Sequence, residues 1–379
     1  MSESSVRNNL AFRLLGNATR NPDAPALIYG AETVSYQALA ARVDDRASTL
    51  RGVGAARESR VALLFPNTPL FVEALLAVIY CGAVAVPLNT RGSLNAQEQV
   101  IGDSLPKVLI AHESLAEHAE SLAQSQNIIL IIARESQGWA IAQAAGQQAE
   151  APHFAGSASG DVTAGPSPVR PADICMQPYT SGSTGPPKGC LLTHGGQIWN
   201  AETVKEVWEL DSSDRGLVTA PIYHKNAMIC VVKPMLLAGG TIVIGESSNP
   251  KEIAYEVERH RCTYTTGVPS TYQLLLDAPD LHERDISSLN FVVCGSAALS
   301  ESLGARIMRN LGAPVIEAYG LTEGGPQVLM SPLTNNPRFG SVGKVIPGCE
   351  VKLLAATTMP GDSIGELEEV PLGSDGEIW

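Results

Sequence analysis

Short, continuous apolar runs recur along the chain, separated by stretches in which apolar positions return every three or four residues. Residues 61–65 (VALLF), 84–88 (VAVPL), 107–111 (KVLIA) and 128–133 (IILIIA) are too short for amphipathic helices and read as strands buried on both faces. Residues 70–80 and 114–123, lying between them, carry helical spacing. Further along, residues 174–179 are strand-like and 189–193 (GCLLT) read as a return strand. Residues 200–210 predict a helix, and 240–244 (GTIVI), 291–294 (FVVC) and 315–318 (VIEA) predict strands. Ser300 is placed to cap a helix running to Asn310, with Leu303, Ile307 and Leu311 on one face and Gly312 past its end. The alternation of strand and helix predicts an α/β fold: layered αβ subdomains with mostly parallel sheets, plus a smaller β-rich C-terminal portion.

Residues 151–171 (APHFAGSASGDVTAGPSPVRP) hold no period and are rich in Pro, Gly, Ala and Ser, which predicts a linker or long surface loop. The expected organisation is a first αβ subdomain at 1–150, a connection at 151–172, a second αβ subdomain carrying the site at 173–330, and a β-rich segment at 331–379. The stretch LFVEALLAVIYCGAVAVPL (70–88) approaches the length of a membrane span. Glu73, Gly82 and Pro87 interrupt it, so it reads as a buried helix followed by a strand, and no membrane span is expected.

Charge narrows the classes. Lys and Arg total 26 against 39 Asp and Glu, a net charge of −13. Such a chain is a poor match for nucleic acid, and any anion site in it must create its own positive potential. The seven cysteines are scattered without a CxxC pair, as expected for reduced thiols in a cytoplasmic protein. The N-terminal MSESSVRNNLAFRLL places Arg13 inside its apolar run and does not read as a signal peptide.

Residues 177–194 read QPYTSGSTGPPKGCLLTH. Thr180, Ser181, Ser183 and Thr184 supply hydroxyls, Gly182, Gly185 and Gly189 allow close main-chain approach, and Lys188 supplies the one charge. Backbone N–H groups and hydroxyls in such a run make an anion cradle. A lysine adds a charge-assisted hydrogen bond of about 1.5–3 kcal/mol. The GxxxxGK[ST] phosphate loop does not fit, because Lys188 follows Pro187 and precedes Gly189, and neither Pro186 nor Pro187 has an N–H. Two readings follow: a different phosphate loop joining two strands, or a glycine-rich hairpin with no ligand.

The ten residues from Thr180 to Gly189 resemble the phosphate-binding signature of adenylate-forming enzymes, which include acyl- and aryl-CoA ligases, luciferases and peptide-synthetase adenylation domains. Two further segments match that family in order. VVCGSAALS places Gly295, Ser296 and Ala297 just past a predicted strand, and EAYGLTEGGP places Tyr319, Gly320, Thr322 and Glu323 past the next. Ligands in open α/β sheets sit at the carboxyl ends of strands, where all of these fall. Weaker matches are FPNTPLFVEALLAVIYCGAVAVPLN, a packing motif, then PIYHKNAM and GSVGKVIPGCEVKLL.

The resemblance implies ATP, Mg2+ and CoA as cofactors and co-substrates, and a small carboxylic acid as the partner substrate. Thr180, Ser181, Gly182, Ser183, Thr184, Gly185, Lys188 and Gly189 would hold the β- and γ-phosphates. Gly295, Ser296, Ala297, Tyr319 and Gly320 would frame adenine, Thr322 would hold the α-phosphate, and Glu323 the metal. The same residues have ordinary readings, with Tyr319 as a core aromatic, Thr322 as a cap and Glu323 as a solvated acid.

His224 would border the acyl group, against the plainer reading of a local hydrogen bond at a helix entry. Peptide-synthetase adenylation domains carry an aspartate near this point; PIYHKNAM has none, which disfavours an α-amino acid. Lys225 reads as a surface ion-pairing residue, or as one facing an acidic substrate or the CoA phosphates. In the family, the segment after DGEIW (375–379) leads to a ribose clamp and a small C-terminal lid domain, and neither is in this sequence. Little or no turnover by the chain alone is therefore expected. The rivals are loading of a carrier protein, a luciferase-like oxidation and a nucleotide- or acyl-binding protein without turnover. The acyl group is not legible, and a homodimer is among the assemblies allowed.

Overall fold

The computed structural model describes residues 3–135, 138–143, 165–180, 185–247, 249–325, 327–334, 336–355 and 368–379. Among these, two large sheets with helices packed on them make an α/β fold. The first sheet runs, edge to edge, through Leu192–Thr193, Ile174–Met176, Val84–Pro87, Arg60–Leu64, Val108–His112, Ile129–Arg134 and Gly138–Gln143. Its interior pairings are parallel, and an antiparallel strand closes each edge. The second sheet runs Lys344–Val345, Leu329–Met330, Val315–Tyr319, Phe291–Gly295, Tyr264–Gly267, Arg215–Val218, Thr241–Ile244, Pro25–Tyr29 and Glu32–Ser35. It too is parallel through its middle.

The continuous apolar runs became strands for the expected reason. Every residue of Val108–His112, Thr241–Ile244 and Phe291–Gly295 is buried, which only a strand covered on both faces permits. The helix Pro69–Tyr80 is buried from Pro69 to Ile79 and packs against strands of both sheets. A helix apolar on all sides has to lie inside the protein. Its single charge, Glu73, is wholly buried, with Oε1 2.9 Å from Arg42 Nη1 and Oε2 2.5 Å from Arg46 Nη1. Pairing is what makes a carboxylate tolerable there. No helix among the described residues is long and apolar enough to cross a membrane.

The sheets do not divide the chain at residues 150–173. The hairpin Pro25–Tyr29/Glu32–Ser35 lies in the second sheet, with Leu27 beside Ile242 in parallel register, and Ile174–Met176 and Leu192–Thr193 complete the first. Loop-like composition marked a connection, whereas sheet membership is set by which apolar faces meet. Residues 151–164 of the expected linker lie outside the described residues. Towards the C-terminus, Leu329–Met330 and Lys344–Val345 extend the second sheet antiparallel, and Leu353–Leu354 pairs with Glu377–Ile378 in a separate ribbon.

One helix starts earlier than the spacing predicts, at His194 rather than residue 200, and ends at Val207. Gly195 and Gly196 hid its first turn. Thr193 caps it, Oγ1 accepting from Gly196 N at 3.1 Å, and a Cβ on Gly195 would meet Pro171 at 3.0 Å. The helix Glu301–Leu311 is capped as read: Ser300 Oγ accepts from Leu303 N, and Gly312 ends it at φ +66°.

Candidate functional site

The glycine-rich run folds as a hairpin. Tyr179–Thr180 pairs antiparallel with Lys188–Gly189, Thr180 opposite Lys188 and Tyr179 opposite Gly189. Ser181, Gly182, Ser183 and Thr184 lie outside the described residues. Gly185 and Lys188 are exposed, and Thr180 is half-buried.

The base of the hairpin is fixed by a chain of hydrogen bonds. Arg60 Nε donates to Gln177 Oε1 at 2.7 Å, Gln177 Nε2 donates to Tyr179 Oη at 2.9 Å, and Tyr179 Oη donates to Asp103. Burial, then the Asp103 carboxylate, hold the Tyr179 phenol well above its usual range, so it stays a donor.

The second element is the corner after Val315–Tyr319. Gly320 and Leu321 lead into a single 3-10 turn, Thr322–Gly324, which Gly325 closes at φ +87°. Thr322 is buried and Glu323 exposed. The parallel strands Phe291–Gly295 and Val315–Tyr319 put Gly295 beside Ala318, so close that a Cβ on Gly295 would sit 3.0 Å from the Ala318 carbonyl. Ser296 follows at φ +65°, a left-handed conformation that costs energy for a residue with a Cβ.

These pieces converge. A cavity of about 390 Å³ is lined by Thr180 and Pro187 of the hairpin, by Tyr223 and His224, and by Thr322 of the corner. A smaller cleft of about 30 Å³ gathers Gly295, Ser296, Tyr319 and Gly320 with Asn226 and Gln327. Gly185, Lys188, Gly189, Ala297 and Glu323 line neither; Gly189 is half-buried and the other four are exposed.

Residues passed over in the sequence also contribute. Pro87, Leu88, Asn89 and Val100 form one wall of the larger cavity, so the stretch read as a packing motif delivers its strand end to the site. Asn67, in the same stretch, clamps the segment before His224. Its Oδ1 accepts from Ile222 N and its Nδ2 donates to Ala220 O, both at 2.8 Å. The signal for it was an asparagine between two prolines, PNTP, which is also an ordinary turn. Tyr223 and His224 lie ring to ring, centroids 5.2 Å apart, with His224 exposed.

The glycine hairpin and Thr322 thus share a cleft at the carboxyl ends of parallel strands, where open α/β sheets place their ligands. The chain belongs to the AMP-binding enzyme family, whose model matches residues 15–379. It is 35% identical over 362 residues to a feruloyl-CoA synthase of an Amycolatopsis species, covering 95% of this chain and 67% of that protein. It is 29% identical to an indoleacetate–CoA ligase of Aromatoleum aromaticum, covering 96% and 68%. Among solved structures, ATP-bound MatB from Rhodopseudomonas palustris superposes with a TM-score of 0.83 at 25% identity, covering 98% of this chain and 69% of that one. The chain thus spans about two thirds of the length of these relatives.

Proposed function

We propose that this chain carries the activating site of an ATP-dependent carboxylic acid:CoA ligase, and that its acid is aromatic. A carboxylate oxygen attacks the α-phosphorus of ATP, the α–β phosphoanhydride bond breaks, and pyrophosphate leaves. The CoA thiol then loses its proton and attacks the acyl carbon, forming the thioester and releasing AMP. The observation that carries this reading is the meeting of Thr180, His224 and Thr322, from three distant segments, around one cavity. The relatives that form feruloyl- and indoleacetyl-CoA favour an aromatic acid over an aliphatic one.

In this reading Lys188, with Thr180, Gly185, Gly189 and the hydroxyls of Ser181, Ser183 and Thr184 around Gly182, binds the β- and γ-phosphates. Thr322 donates to the α-phosphate. Tyr319 and Gly320 frame adenine with Gly295, Ser296 and Ala297, and His224 borders the acyl group. Positioning and fixed dipoles supply the catalysis.

No group of three or more His, Cys, Asp or Glu able to hold a metal occurs among the described residues. A lone exposed carboxylate such as Glu323 suits Mg2+, which usually keeps its waters and takes its remaining ligands from substrate phosphates. Bound there with ATP, Mg2+ would neutralise phosphate charge.

The test is acid-dependent ATP–pyrophosphate exchange and thioester formation by the full-length protein. Cinnamate-like, arylacetic and aliphatic acids are offered with CoA or a carrier-bound phosphopantetheine as acceptor. Exchange with an aryl acid, and a thioester with CoA, is expected. Exchange with no acid at all would defeat the reading, and exchange confined to aliphatic acids would defeat its aromatic part.

A further inference from the structure

One buried cation plays no part in this mechanism. Lys233, at the start of the helix Lys233–Ala238, is wholly buried. Its Nζ donates to Gln197 Oε1 at 2.6 Å and to Asn200 Oδ1 at 3.3 Å, two neutral amides. Among the described residues, the titratable groups acting on it are the thiols of Cys175 and Cys230. Burial pulls its pKa down to about 8, still above neutrality, so the side chain remains an ammonium near pH 7. An ammonium with only amide partners in the interior is costly, and packing alone does not call for one.

Gln197 connects this cation to the site. It is 2% exposed, and its Nε2 donates to the carbonyl of Gly325 at 3.2 Å. Gly325 closes the turn that presents Thr322 and Glu323. Gln197 lies in the first turn of the helix His194–Val207, which follows the glycine hairpin by way of the strand Leu192–Thr193. One helix therefore continues from the hairpin and holds the corner.

A glutamine amide can present either its oxygen or its NH2 to a neighbour. A lysine ammonium has three donors and no acceptor. Beside Lys233 the amide oxygen must face the ammonium, which leaves the NH2 for the Gly325 carbonyl. A turned amide would set oxygen against oxygen at Gly325 and nitrogen against nitrogen at Lys233.

We propose that Lys233 is a positioning residue for the Thr322–Glu323 corner, acting through the orientation of the Gln197 amide. The idea rests on the ATP-activating reading above. It makes the corner's placement depend on a buried charge that touches neither nucleotide nor acid.

Full-length Lys233→Met, Gln197→Leu and the double variant test it, with ATP–pyrophosphate exchange kinetics and hydrogen exchange of residues 321–325 as readouts. Each single variant is expected to raise KM for Mg·ATP by ~10-fold, the effect of one lost positioning contact, and to leave KM for the acid within about twofold. Hydrogen exchange at residues 321–325 should quicken in both, and the double variant should be no worse than Gln197→Leu alone. Wild-type KM for ATP and wild-type hydrogen exchange in Gln197→Leu would overturn the proposal, as would effects that simply multiply in the double variant. If Lys233→Met does not fold, Gln197→Leu and Gln197→Glu decide by the same two readouts, since an ionised glutamate keeps the lysine contact but cannot donate to Gly325. Wild-type protein inactive with every acid counts against the activation reading, while the hydrogen-exchange comparison still judges the tether.

Discussion

Gly189 lies directly against Tyr179 across the base of the hairpin. A Cβ at Gly189 would fall 2.9 Å from Tyr179 Cζ and 2.5 Å from Gln177 Nε2. The glycine thus leaves room for the hydrogen-bonded chain from Arg60 through Gln177 and Tyr179 to Asp103, which fixes where the hairpin emerges. Gly189→Ala is expected to cost ~1–3 kcal/mol of stability through overpacking and to lower exchange activity more than the loss of folded protein explains. Thermal melts alongside kcat/KM check this. An alanine variant with wild-type activity would show that the hairpin base is not held here.

Lys188 presents the opposite case. It is exposed, so Lys188→Ala should leave the melting temperature unchanged. Loss of one charge-assisted contact of ~1.5–3 kcal/mol predicts a ~10–100-fold drop in kcat/KM for ATP. Raising salt should shrink the difference between the two proteins, because the contact lies at the surface. A variant with unchanged ATP kinetics would remove Lys188 from the phosphate site.

Asn67 makes two 2.8 Å hydrogen bonds to the segment before His224. In Asn67→Ala both backbone groups lose their partner, at ~1–3 kcal/mol each if they stay dry. KM for the acid should rise more than KM for ATP if, as proposed, His224 borders the acyl group. An effect confined to ATP would place this segment elsewhere in the reaction.

His194 supplies a pH prediction. It is wholly buried, its Nδ1 accepts from Leu10 N at 3.0 Å, and burial lowers its pKa to about 4 from 6.5. The folded state therefore resists a proton that the unfolded chain takes up below pH 6.5. Stability from this group is complete above pH 6.5 and is lost as pH falls towards 4, by ~3 kcal/mol in all. Denaturant melts between pH 7 and 4 check the slope, which should be shallower in His194→Gln. Equal slopes in both would assign the acid sensitivity to other groups.

Much of this was legible in the sequence, and what escaped did so for physical reasons. Runs such as VALLF and FVVC read as buried strands because they are too short for an amphipathic helix and apolar throughout. The hairpin and the YGLTE corner stood out because their residues, in order, resemble the signatures of the adenylate-forming family. The placement of PALIY (25–29) beside Thr241–Ile244 was not visible, since partner choice depends on contacts more than two hundred residues apart. Gln197 and Lys233 carried no motif, and the glycines at 195 and 196 concealed the first helical turn, which holds Gln197. Their connection to the corner exists only as tertiary hydrogen bonds.

The central claim is that the hairpin and the corner meet on a single triphosphate. A crystal structure with Mg2+ and α,β-methylene ATP tests it most directly. The account predicts the triphosphate lying between Lys188 and Thr322, with adenine against Tyr319. A nucleotide bound away from residues 180–189, or one touching the hairpin while Thr322 faces another cavity, would contradict it.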